Sequence, residues 1–191
     1  MYIRYRQVNA AIHYKTIDLS KTWNEIAFWI GNITCVGISI VANFQVTSIL
    51  LVHMIGGATT FGAGSIYFAI QTRISASFRS IHHKYPEYGV SKSMLYLRIF
   101  LSVLFFLFFI ISVSFFGKAI NEFRGTDVLS WKEEDGGMEY RRLAAAFEWL
   151  MVFVFAVLAS TAEKDLKSIQ FEEIRFSNKL PVPTNNVKKE K

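Results

Sequence analysis

An all-α, multi-pass transmembrane bundle is the fold class this sequence predicts, on three observations. Apolar residues are gathered in blocks, the blocks are nearly free of charge, and the segments joining them alternate in charge. Of 191 residues, 52% are hydrophobic, with 18 Phe and only 3 Pro. A soluble domain would spread that content by amphipathic periodicity. Here it falls into four runs, about 24–44, 47–71, 94–116 and 143–161. Each is close to the ~20 residues a helix needs to cross a ~30 Å hydrocarbon core. None shows the period-two alternation of a barrel strand. The competing reading, buried helices of a soluble bundle, conflicts with "LRIFLSVLFFLFFIISVSFF", which is hydrophobic on all sides.

The elements follow in order. Residues 1–22 form an N-terminal segment with Arg4, Arg6, Lys15 and Lys21 against Asp18. Within it, Tyr14-Lys-Thr-Ile17 has the spacing of a tyrosine sorting signal, a four-residue match that is common by chance. The first run carries only Glu25, at its start, and contains Cys35, the single cysteine, so no internal disulfide can form. Its Asn32-Ile-Thr34 sequon lies at membrane depth, where it should be unused. The uncharged "NFQVT" at 43–47 joins it to the second run, which carries no charge through Thr72. In that second run Gly56, Thr60 and Gly64 recur every four residues, with Gly57 and Gly62 beside them. Small residues on one helix face admit close backbone approach, and Gly31, Thr34, Cys35 and Gly37 offer the same in the first run. A tight hairpin of these two helices is therefore expected, and helix packing outweighs ligand binding as the use of the glycines.

The segment 71–93 is basic, with Arg73, Arg79, Lys84 and Lys92 against Glu87, and its His82-His83 pair reads as solvated. The third run holds one charge, Arg98, near its start, where a long side chain is expected to snorkel to the headgroups. The loop 117–142 has five Lys/Arg against six Asp/Glu, and its "WKEEDGG" reads as a solvated turn. The fourth run contains Glu148 and Trp149. The tail 163–191 is basic and ends in "NKLPVPTNNVKKEK", a composition that predicts disorder. Positive-inside counting places the N-terminus, the 71–93 segment and the tail in the cytosol. The 23–162 stretch between them is then a four-helix membrane domain.

Polar groups at depth are the candidates for function. Asn43, His53 and Glu148 all fall toward the lumenal ends of their runs and are expected to share a layer, away from Arg98. Two readings of Glu148 stand side by side: a hydrogen-bonded clamp to His53, or a side chain reaching toward water past Arg141. A titrating His53–Glu148 pair would sense lumenal pH. Trp149 suits an interfacial position. No catalytic motif is present, no cofactor or metal is implied, and the excess of six positive charges reads as attraction to an anionic leaflet rather than to nucleic acid.

Taken together, "GISIVANFQ" at 37–45, "VHMIGGATTFGAGSIYFAIQT" at 52–72, "WKEEDGG" at 131–137, "FEW" at 147–149 and "KDLKSIQFEEIRF" after the last run resemble the DRAM/Frag/Sfk family, and within it the damage-regulated autophagy modulators. That family has six spans, of which this chain matches the last four. "MYIRYRQV" thus corresponds to the cytosolic end of the second span, and the chain reads as a truncated product or incomplete gene model. The resemblance implies a lysosomal or endosomal regulator of autophagy without assigned chemistry. It implies as partners the lipid bilayer, other membrane or autophagy proteins, and a second copy of the chain. Other branches of the family imply two alternatives: a plasma-membrane scaffold for phosphoinositide kinases, and a protein of lipid handling or GPI-lipid remodelling.

Overall fold

The computed structural model describes residues 1–166 and 169. These form six helices: α1 (Tyr2–His13), α2 (Lys21–Asn43), α3 (Leu50–Arg79), α4 (Lys92–Glu122), α5 (Met138–Thr161) and the short α6 (Glu163–Leu166), with no strand among the described residues. The predicted disorder of "NKLPVPTNNVKKEK" falls on residues outside those described. Three helices, α2, α4 and α5 continued to Leu166, are long and apolar enough to cross a membrane. α3 has the length, at 30 residues, but less apolarity. Its buried positions include Gly56, Thr60, Gly64, Ser65 and Ser75, so small and hydroxyl residues occupy what would otherwise be Leu or Phe.

Local signals set the helix starts. The Ser20 hydroxyl accepts from the Thr22 amide ahead of α2, and the Ser91 hydroxyl accepts from the Met94 amide in the first turn of α4. Both are N-caps that satisfy otherwise orphaned donors. At the start of α5 the chain turns through Gly136 (φ +79°) and Gly137 (φ +70°). A Cβ on Gly137 would lie 2.4 Å from the Ala119 carbonyl oxygen, so both the backbone angle and the space demand glycine.

Sequential helices pack antiparallel. Between α2 and α3 the contacts run Gly31 to Tyr67, Thr34 to Gly64, Gly37 to Thr60 and Ile40 to Gly56. A Cβ on Gly37 would sit 2.7 Å from the Thr60 amide nitrogen, so the two backbones touch. This is the expected hairpin, built on Gly31, Thr34 and Gly37 against Gly56, Thr60 and Gly64, all buried. Cys35, expected on that face, is exposed. α4 runs antiparallel to both α3 and α5: Thr72 meets Ser102 while Ser75 meets Arg98, and Ser112 meets Ala144 while Arg98 meets Thr161. The middle of the bundle is aromatic: Phe68 meets Phe105 and Phe155 edge-on, each at 5.4 Å between centroids. Oriented ring pairs of this kind contribute about 0.5–1.5 kcal/mol beyond burial.

The N-terminal segment is part of this packing. α1 lies antiparallel to α2, with Met1 against Gly31 and Tyr5 against Phe28. Its Val8 joins Ile17, Leu19, Ile74 and Val90 in a second apolar cluster. Ile17 is only 6% exposed, which overturns the sorting-signal reading of Tyr14-Lys-Thr-Ile17, because the bulky apolar member is buried in the core.

Candidate functional site

Among the described residues two groups of polar side chains stand out, one at each end of the bundle, the first buried and the second opening on a cavity. The first surrounds Arg98, which is 5% exposed. Its guanidinium donates to the Thr161 carbonyl at 2.6 Å, to the Thr161 hydroxyl at 3.1 Å and to the Ser75 hydroxyl at 2.8 Å. It also forks onto both carboxylate oxygens of Asp165, each at 3.0 Å. Arg4 of α1 reaches the same carboxylate at 3.1 Å and is held by Gln7 and Gln71. The expectation that Arg98 snorkels to the headgroups is overturned. α5 ends at Thr161, and α6 returns Asp165 to the arginine, so the charge is paired within the protein. A cavity of about 240 Å³ adjoins the cluster, lined on its apolar side by Phe68, Phe155 and Leu158. With two arginines on one aspartate the cluster keeps a net positive charge, and the guanidinium fork supplies the geometry that a point-charge lysine lacks.

The second group contains the residues singled out in the sequence. α5 starts at Met138, five residues before the expected span, and α3 starts at Leu50, three residues after it. Glu139, Arg141 and Arg142, expected in the loop 117–142, form the first turns of α5 instead. Glu148 therefore sits about 15 Å along α5 from its first residue, while His53 is in the first turn of α3. The two face one cavity of about 400 Å³ between α3, α4, α5 and the loop that carries Trp131. They share no hydrogen bond there. The His53 Nδ1 donates instead to the Phe44 carbonyl at 2.7 Å, tying the α2–α3 turn to α3. A carbonyl only accepts, so this contact places the ring proton on Nδ1.

The remaining candidates separate. Asn43 is exposed and donates to Ser39 in its own helix, outside the cavity. Trp149 is 74% exposed on the outer face of α5, about 16 Å from the first residue of that helix. Gly56 and Gly64 serve packing against α2, and Gly64 also meets Phe105 of α4. Gly62 rests at ordinary distance from Phe109. Gly57 differs from all of these: it lines the cavity, and a Cβ added to it would meet nothing within 4 Å.

The residue that sequence reasoning missed is Trp131. The "WKEEDGG" turn is folded rather than merely solvated. Trp131 is 7% exposed, packs on Phe123 at 4.4 Å and donates its indole N–H to the Gly136 carbonyl at 2.8 Å. Arg141 stacks over its other side at 5.0 Å, and Arg142 pairs with Glu133. The signal was available: a tryptophan between two 3-10 turns and a Gly-Gly pair is costly to leave in water.

The all-helical fold and its long apolar helices define a polytopic helical membrane protein. The sequence model of the Frag1/DRAM/Sfk1/Cwh43P N-terminal domain matches residues 1–169, and the chain belongs to that family. It is 28% identical to DNA damage-regulated autophagy modulator protein 2 of Homo sapiens, over 97% of this chain and 70% of that protein. Similarity to DNA damage-regulated autophagy modulator protein 1 of Xenopus laevis is 27% identity over 90% of this chain and 66% of the relative. No solved structure matches the chain.

Proposed function

We propose that this chain is a regulatory membrane component of autophagy at lysosomal or endosomal membranes, with both termini in the cytosol and no chemistry of its own. The observation that carries the reading is the match through residues 1–169 to a family whose relatives here are named autophagy modulators. The structure supports a regulatory rather than a catalytic part. Arg98, Asp165 and Arg4 join the fourth, sixth and first helices into one unit at the end where the basic segments lie. We read that end as the surface offered to cytosolic partners, while the opposite end carries the folded Trp131 loop.

A fluorescently tagged chain expressed in cells lacking the endogenous protein tests this. Co-localisation with lysosomal membranes and a change in autophagic flux are the expected results. Plasma-membrane residence with unchanged flux overturns the reading and favours a kinase scaffold there.

A further inference from the structure

We propose that the cavity beneath Trp131 is a binding site for a protonated amine with an apolar body, such as a single-chain alkylammonium, with Glu148 as its counter-ion. Among the described residues two charges lie well within the apolar runs, and the fold treats them differently: Arg98 is buried, whereas Glu148 is exposed on the cavity side of α5. Arg98 has five hydrogen bonds from its guanidinium and an aspartate. Glu148 has neither a hydrogen-bond donor nor a cation at ion-pair distance among the described residues. The nearby basic groups are engaged elsewhere: His53 Nδ1 on the Phe44 carbonyl, Arg141 over the Trp131 ring, Arg142 on Glu133. An ionised carboxylate set on an apolar membrane helix and facing a cavity without a partner needs a counter-charge, and such a group marks a site by default.

The space in front of Glu148 fits a ligand. At about 400 Å³ the cavity lies within the ~300–1,000 Å³ range of small-molecule sites. Its walls include Phe61, Phe109, Phe116 and Trp131, whose faces attract cations and whose area buries an apolar body. Gly57, on the opposite wall, leaves room that no neighbour fills, in contrast to the tight contacts at Gly31, Gly37 and Gly56.

The head group follows from charge. A hydroxyl would satisfy the oxygen lone pairs and leave the charge uncompensated. A phosphate would be repelled. A divalent metal takes several oxygen ligands, and no group of three His, Cys, Asp or Glu residues that could hold one occurs among the described residues. An ammonium meets both needs. Arg141 also lines the cavity, but its guanidinium lies over the Trp131 ring, and seven residues, about 10 Å along the helix, separate it from Glu148.

The test uses the full chain purified in a non-ionic detergent, with octylamine, octanol and octanoate as probes sharing one tail. Octylamine is expected to raise the thermal midpoint saturably, by about 5 °C at saturation, with one copy retained in native mass spectra. Octanol and octanoate are expected to leave it unchanged. Glu148→Gln should abolish the shift. Gly57→Leu should do so as well, by filling the cavity, while its unliganded midpoint stays within about 2 °C of the parent because its Cβ meets nothing. Failure of octylamine to shift the parent overturns the proposal, as does an equal shift from octanol or a shift that survives in either variant. Should Glu148→Gln not fold, Gly57→Leu alone decides.

Discussion

Arg98 and Asp165 show how a single charge inside an apolar run becomes a joint between elements. Removing one member of a buried ion pair leaves the other uncompensated, at a cost of about 3–5 kcal/mol. Arg98→Met should therefore lower the thermal midpoint markedly, and Asp165→Asn should too, because Arg4 and Arg98 would then face each other without a carboxylate. The double variant should cost less than the sum of the singles, since the shared interaction can be lost only once. Thermal unfolding in detergent reads all three, and strict additivity would show that the fork carries no coupling. None of this partnership was legible from residue spacing. An arginine near the end of an apolar run ordinarily reaches water, and its partner lies 67 residues away in sequence. The available hint was Asp165 one turn beyond Thr161, but only the break between α5 and α6 turns it inward. Glu148 was more legible in part: the sequence places it near His53, and both line one cavity, although Glu148 lies farther along its helix than His53 does along its own. The direct hydrogen bond does not form, because His53 is held by Phe44 and sits nearer the helix start.

Among elements, the α2–α3 hairpin was the most readable, because small residues at four-residue spacing have one strong physical use in a membrane helix. The structure sorts those glycines by what a side chain would strike, and this gives a paired prediction. Gly37→Val drives a side chain into the Thr60 backbone and should cost about 1–3 kcal/mol or more. Gly57→Val enters open space and should be nearly neutral. Comparing thermal midpoints of the two variants checks the sorting, and a matching loss at Gly57 would refute the open cavity. The Trp131 loop was less readable, since its order depends on Phe123 and Arg141 from the flanking helices as much as on its own residues. Within it, the Ser130 hydroxyl and then the Leu129 amide hold the Asp127 carboxyl below the usual carboxylate range. A depressed value means the cap stabilises the folded loop fully above the ordinary carboxylate pKa of about 3.9 and is lost only as pH falls through the lower, folded value. Hydrogen-exchange protection at Leu129 should thus be the same at pH 7 and about pH 5. Substituting Asp127→Ala should lower it equally at both.

For the whole molecule, the antiparallel order of α2 to α5 puts the α2–α3 turn and the Trp131 loop at one end of the bundle and the α3–α4 segment at the other. Sequence charge agrees with that division. The α3–α4 side gathers Arg73, Arg79, Lys84 and Lys92 against Glu87, whereas the Trp131 loop balances its bases with acids. Basic segments are retained on the cytosolic side, so the α3–α4 segment should face the cytosol and the Trp131 loop the lumen. Single cysteines test this in a Cys35→Ser background, at the exposed positions Ser48, Glu87 and Glu134. In cells whose plasma membrane alone is permeabilised, an impermeant maleimide should label Glu87→Cys at once. It should reach Ser48→Cys and Glu134→Cys only after detergent opens every membrane. Labelling of Glu134→Cys without Glu87→Cys would invert the topology and move the Glu148 cavity to the cytosolic side. Labelling of Ser48→Cys and Glu134→Cys from opposite sides would mean that α3 does not cross. The second outcome bears directly on α3, whose small and hydroxyl residues make it the least apolar of the four long helices, and whose crossing is what keeps the two loops together at one end.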